Sequence, residues 1–156
     1  GDIDMGMIAI PKQDRNIKVY NFADEPLVFV YSPKYLLGRR TSIDIHQLES
    51  EKFIGFDKAV PTRGWIDGIF RRYNMNVQPV MEFDNIETVK RAVEMNSGIS
   101  ILPKTAILQE LADGTLKAVG FSNEKFVRPT GIILRKDRKL NKAAKYLIDL
   151  LTKKNE

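Results

Sequence analysis

The stretch from Glu82 to Pro103, EFDNIETVKRAVEMNSGISILP, restricts the fold more than any other part of the chain. Asp84 followed three residues later by Glu87 matches a reciprocal helix cap, and Ile86, Val89, Ala92 and Val93 then fall on one face at helical spacing. Asn96, Ser97 and Gly98 are expected to end that helix, with the glycine in the left-handed position just past it. Ile99, Ile101 and Leu102 form an apolar run without alternating charge, which suits a strand covered on both sides. Pro103 is pre-set for the first turn of another helix. A helix and a covered strand joined this tightly belong in the middle of a parallel α/β sheet.

The same alternation extends in both directions. Ile3 to Ile10 reads as a strand, Pro11 to Asn16 as a polar loop, and Ile17 to Tyr31 as extended sequence whose last part, LVFVYSP, is a strand closed by Pro33. Tyr35 to Arg40 is a loop, Ser42 to Leu48 a short capped turn, and Phe53 to Phe56 a strand. Thr62 is placed to cap a helix in which Ile66, Ile69, Phe70 and Tyr73 share a face, and Val77 to Phe83 follows as a strand. Beyond the central stretch, a helix from Pro103 to about Ala112 is closed by Asp113 and Gly114. Thr115 to Phe121 and Thr130 to Leu134 supply two more strands. A terminal helix carries Leu140, Ala144, Leu147 and Leu151 as its apolar stripe. Right-handed crossovers between such strands make the sheet parallel.

Several function classes are excluded by what the chain lacks. Without cysteine there are no disulfides, thiolate metal sites or cysteine nucleophiles. His46 is the only histidine; it lies in a polar turn with no second histidine to complete a metal site and no base and orienting group for a nucleophile. Glycine-rich phosphate loops are absent. We therefore expect no catalytic residue, no metal and no cofactor. No apolar run approaches the ~20 residues that cross a bilayer, and no signal-like N-terminus is visible.

The net charge of +5 is confined to one end. Of the 25 basic and 20 acidic residues, eight and three lie between Arg135 and Glu156, which leaves seventeen of each elsewhere. No aromatics interleave with the tail lysines, so they read as the solvated face of an amphipathic helix and not as a nucleic-acid contact.

What chemistry the residues offer is expected at the carboxyl ends of the parallel strands, where helix N-termini attract anions. Two such ends can be named. At Pro61, Thr62, Arg63 and Gly64, a hydroxyl, a guanidinium and free amides can meet a carboxylate or another oxyanion. The second end is Phe83, Asp84, Asn85 and Ile86, at the start of the central helix. Each also has a structural reading: Thr62 as a helix cap, Arg63 as a solvated first-turn residue, and Asp84 as a cap more than a ligand contact.

The segments GDIDMGMI, LVFVYSP, TRGWIDGIF, ETVKRAVEMNSGISILP, ADGTL and GIILRKDRKLNKAAKYLIDLL together resemble the effector-binding domain of LysR-type transcriptional regulators, in the right order and over essentially the whole chain. The resemblance implies a fold like the type 2 periplasmic binding proteins: two Rossmann-like α/β lobes joined by two crossover strands, with a small molecule bound between them. Residues 32–125 would form the second lobe, and 1–31 with 126–156 part of the first. Complete regulators of this kind begin with a winged helix-turn-helix and a linker helix, and their first lobe opens with two strand and helix units before a strand like GDIDMGMI. The chain is thus expected to be an N-terminally truncated fragment with an incomplete first lobe.

The resemblance further implies a cytoplasmic bacterial protein that is not an enzyme. Its partners would be a small-molecule effector, a carboxylate or another anion, and further copies of itself as a dimer or tetramer in the parent protein. DNA would be contacted only through the missing domain, and no membrane is involved. Relatives use residues just past their first-lobe strand, which places Ala9 and Ile10 at the site. Neither can hold an anion by its side chain, so the ligand is expected to be held mainly from the second lobe, and Arg63→Ala to weaken effector binding without loss of fold. Two other families share the architecture: periplasmic solute-binding proteins, and prephenate dehydratases, whose Thr-Arg-Phe motif is matched here only by Thr62 and Arg63.

Overall fold

The protein is described from a computed structural model over residues 5–10, 16–37, 40–137 and 139–152. It divides into two compact units, Gly1–Glu25 with Arg128–Glu156, and Pro26–Val127. The divisions fall at Glu25/Pro26 and Val127/Arg128, whereas the sequence placed them after Tyr31 and Lys125. The reason is that β2 (Ile17–Tyr31) runs unbroken through both units, so the end of a strand is not the end of a unit.

The contiguous unit is built on the second half of β2, where Leu27 to Tyr31 are all buried. A fully covered strand needs partners at both edges, because its amides cannot turn to water. One edge pairs antiparallel with β6 (Ser100–Pro103), Val28 opposite Leu102 and Val30 opposite Ser100. The other pairs antiparallel with β7 (Lys117–Phe121), Phe29 opposite Val119. β3 (Ser42–Ile43) lies parallel to β7, and β4 (Ile54–Phe56) parallel to β5 (Met81–Phe83). Phe53 makes a parallel bridge to Ile99 at the start of β6. β3 to β7 therefore share one direction, as the helix crossovers require, and β2 alone opposes them. A wholly parallel sheet is corrected to a mixed one on this point.

Helices α1 (Pro61–Arg72), α2 (Ile86–Glu94) and α3 (Leu108–Asp113) cover this sheet. Val89 and Val93 of α2 are fully buried, with Ile86 and Ala92 beside them, as the spacing predicts. Both expected caps move, however. α2 is capped by Asn85, not Asp84, and α1 starts after Val60 with Pro61 in its first turn and Thr62 buried, not capping. The positive φ after α2 belongs to Asn96 (59°), not Gly98. Gly98 is needed for space, since a Cβ there would stand 2.2 Å from the Lys52 carbonyl oxygen. Gly114 does take the left-handed conformation, at φ 72°, and closes α3. Pro103 ends β6, and a 3-10 turn over Lys104–Ile107 separates it from α3. The strand expected from Val77 begins only at Met81, because Pro79 has no N–H to give the ladder.

An ion pair ties α2 to α3. Lys90, 6% exposed, donates to Glu110 Oε1 at 2.7 Å, to Glu87 Oε1 at 2.8 Å and to the Ala106 carbonyl. The Lys90 hydrogen bond holds the Glu110 carboxyl below its ordinary pKa, against the opposing effect of burial. Lys90 is itself raised: burial lowers it, but the bonds to Glu110 and Glu87 outweigh that.

In the unit formed by the chain ends, β1 (Gly6–Ala9) pairs antiparallel with β8 (Val127–Arg135), Gly6 opposite Ile133 and Ala9 opposite Thr130. β8 lies beside β2. α4 (Lys142–Thr152), capped by Asn141, sets Ile148 against Ile132 and Leu134 of β8, with Tyr20 and Phe22 of β2 around them. The buried line on α4 is Ala144 and Ile148 with Leu140 and Leu151 partly covered; Leu147, expected in it, is exposed. Ile3 and Asp4 of the expected first strand, and most of the Pro11 to Asn16 loop, lie outside the described residues.

Two measurements check this account. Gly98→Ala is expected to lower stability to urea by about 2–3 kcal/mol through its clash with backbone, whereas Gly64→Ala in α1, where a methyl meets nothing within 4 Å, raises it by about 0.5–1 kcal/mol. Because the Glu110 pKa is lowered on folding, its stabilisation is complete above the unfolded value of ~4.3 and is lost as pH falls through the folded value. Urea midpoints between pH 6 and 3, as an order-of-magnitude window around that value, should therefore fall less steeply in Glu110→Gln than in the parent.

Candidate functional site

β4 and β5 are parallel neighbours in register, Phe56 opposite Phe83, and each leads within a few residues into a helix. The N-termini of α1 and α2 therefore leave the same end of the sheet. The Asp57 amide donates to the Phe83 carbonyl at 2.8 Å, which holds the two strand ends together where they diverge.

At α2, Asn85 Oδ1 accepts from the Thr88 amide and the Thr88 hydroxyl, both at 2.9 Å. Its Nδ2 donates to Asp84 Oδ1 at 2.9 Å. With Thr88 N taken by the cap, the amides of Ile86 and Glu87 are the first-turn donors that the helix itself cannot satisfy. Asp84 and Asn85 are both exposed and Phe83 is half-buried.

At α1 the supply of donors is smaller. Pro61 has no N–H, the Arg63 amide donates to the Val60 carbonyl at 2.9 Å, and Asp57 Oδ1 already accepts from the Ala59 amide at 2.9 Å. Thr62 is buried, while Pro61 is exposed and Gly64 faces open space.

Arg63 is not a solvated residue. Its side chain, 11% exposed, turns back over the sheet end: Nε donates to Asp67 Oδ1 at 2.7 Å, and Nη1 to the Phe56 carbonyl at 2.7 Å and to Glu82. It thus ties α1 to β4 and β5. Burial lowers its pKa, but the bonds to Glu82 and Asp67 outweigh that and leave it raised. Two carboxylates already neutralise this guanidinium, so an incoming anion must compete with both. On that ground Arg63→Ala is expected to cost stability as well as any effect on a ligand.

Ala9 and Ile10 lie in the other unit. Ala9 is buried opposite Thr130, and the Ile10 amide donates to the Pro129 carbonyl at 2.9 Å. Beside them is a polar cluster that sequence reasoning missed. Glu25 Oε2 accepts from Arg128 Nε at 2.9 Å, from Arg128 Nη2 at 2.7 Å and from the Thr130 hydroxyl at 2.8 Å. The local signal was a charged residue next to a proline in each of two strands, Glu25–Pro26 and Arg128–Pro129; nothing in the sequence paired them. His46 is exposed, stacked edge-on to Tyr73.

The LysR substrate binding domain family matches residues 1–156. The chain belongs to the LysR substrate-binding domain family. A probable RuBisCO transcriptional regulator of Cyanidium caldarium is 29% identical over 150 residues, covering 92% of this LysR domain and 47% of the relative. The transcriptional activator CmpR of Synechocystis is 25% identical over 148 residues, covering 95% and 49%. The chain thus spans about half the length of these curated relatives. Among solved structures, the effector-binding domain of QuiR in complex with shikimate superposes with a TM-score of 0.86 at 21% identity, covering 97% of this chain and 71% of that one. The regulatory domain of Synechocystis CcmR in complex with 2-PG gives 0.84 at 22%, covering 99% and 74%. The fold of this LysR domain is the type 2 periplasmic-binding-protein fold.

Arg63→Ala leaves Glu82, Asp67 and the Phe56 carbonyl short of a donor. It is expected to destabilise the domain by about 2 kcal/mol in urea titration, less than the ~3–5 kcal/mol of a fully buried pair because both carboxylates reach water. Arg63→Lys should recover less than half of that loss, since a single compact ammonium nitrogen cannot replace a planar guanidinium that meets its acceptors from two separate nitrogens, Nε and Nη1.

Proposed function

We propose that this chain is the ligand-sensing part of a LysR-type bacterial transcriptional regulator working in the cytoplasm. The observation that carries the reading is the placement of α1 and α2 at one end of the β4–β5 pair, within a domain whose family match covers all 156 residues. QuiR binds shikimate and CcmR binds 2-phosphoglycolate, each a small acid. For this chain we propose an effector of the same kind, a small carboxylate or phosphate.

The Ile86 and Glu87 amides would take the acidic group, and Asn85 would position it from the cap. Pro61, Thr62 and Gly64 would shape the neighbouring wall, and Phe83 and Asp84 the floor and rim. Arg63 would act indirectly, by holding the strand ends in register. An effector favours whichever arrangement of the domain it binds better, and the shift in population would reach DNA through a helix-turn-helix domain elsewhere in the parent and through an oligomer.

Titration of a panel of small acids, including shikimate and 2-phosphoglycolate, followed by thermal shift and calorimetry, tests the proposal. A true effector should raise the melting temperature, and Asn85→Ala should weaken its binding about tenfold while costing only about 1 kcal/mol of stability from the lost cap. A cleft that ignores every acid in the panel, or an Asn85→Ala variant that binds as the parent does, would sink this assignment.

A further inference from the structure

The tail lysines that read as a solvated helix face do not all stand apart. In the unit built from the chain ends, the first half of β2, the end of β8 and the inner side of α4 enclose a hollow of about 400 Å³. Its rim carries Lys18 from β2, Lys136 just past β8 and Lys145 from α4. Its floor is apolar: Tyr20, Leu134 and Ile148, the last two buried. Lys18 Nζ stands 4.8 Å over the Tyr20 ring. Asp149, one turn after Lys145, is the single acid on the rim.

Three elements, the first more than a hundred residues before the other two, thus deliver the same charge to one depression. None of the three ammonium groups has a carboxylate partner among the described residues; the neighbouring Asp137 is taken by Arg135. Like charges brought to one concave site repel, and they raise the positive potential inside it. A lysine rim over solvated backbone would hold any anion weakly and lose it to salt. Here the apolar floor adds a contribution that salt does not screen, so the hollow selects an anion attached to an apolar body.

We propose that this hollow is a binding site for an aromatic or compact aliphatic carboxylate or phosphate, separate from the strand ends of the other unit. The acid group sits among Lys18, Lys136 and Lys145, and the apolar body lies on Tyr20, Leu134 and Ile148. The volume suits a ligand of small-metabolite size, at the lower end of the ~300–1,000 Å³ of small-molecule pockets. The site does not depend on the effector proposed above.

Phenyl phosphate and inorganic phosphate serve as probes, titrated at ~0.15 M salt while methyl NMR signals of Leu134 and Ile148 are followed. Phenyl phosphate should shift those methyls saturably and bind about tenfold more tightly than inorganic phosphate. Lys18→Glu and Lys136→Glu should each weaken it about tenfold. Lys142→Glu, on α4 but outside the hollow, should leave it within about twofold. All three positions are exposed, so folding is not at stake, and thermal melts confirm that. Equal affinity for the two probes, equal loss in Lys136→Glu and Lys142→Glu, or no saturable shift overturns the proposal and returns these lysines to a diffuse surface charge.

Discussion

Everything in the larger unit depends on five consecutive buried residues, Leu27 to Tyr31. A run covered on both faces cannot leave an edge open, because each buried amide or carbonyl without a partner costs about 1–3 kcal/mol. β6 and β7 meet that demand, one on each side. Once β6 is held there, the Phe53–Ile99 bridge brings β4 alongside, and β4 brings β5. The position of both helix N-termini is thus a consequence of how one strand satisfies its backbone.

Much of this was legible because it is local. The spacing of Val89 and Val93 named the buried face of α2, the apolar run after Gly98 named β6, and Gly114 named the end of α3. Caps were legible only to within a residue or two. Asp84 and Glu87 have the right spacing for a box, but Asp84 still belongs to the turn out of β5, and the extended backbone of Asn85 makes it the cap instead. Gly98 shows a different limit. Its identity marked a special position, yet the cause is the Lys52 carbonyl, forty-six residues earlier, which no local pattern reveals.

The illegible part of the candidate site is electrostatic. A sequence shows that a charge exists, not whether it is already used. Arg63 read as an available cation, and the fold spends it on Asp67, Glu82 and the Phe56 carbonyl. Lys18, Lys136 and Lys145 read as ordinary surface charge, and the fold brings them around one hollow without carboxylate partners among the described residues. Both outcomes are set by which strands become neighbours, and neither leaves a trace at the level of spacing.

The division of the chain also bears on how the protein is made. Residues 26–127 form one uninterrupted unit, whereas the other unit is assembled from the two ends. Before the larger unit forms, pairing β8 with β2 means closing a loop of roughly a hundred residues, and the entropy of that closure is paid in advance of any contact. Once the larger unit is folded, Leu27 N is bonded to the Phe126 carbonyl at 2.9 Å, and the two ends emerge side by side. From that point a short-range closure is enough to bring β8 to β2, so the two pieces at the chain ends lose little further loop entropy in pairing with each other.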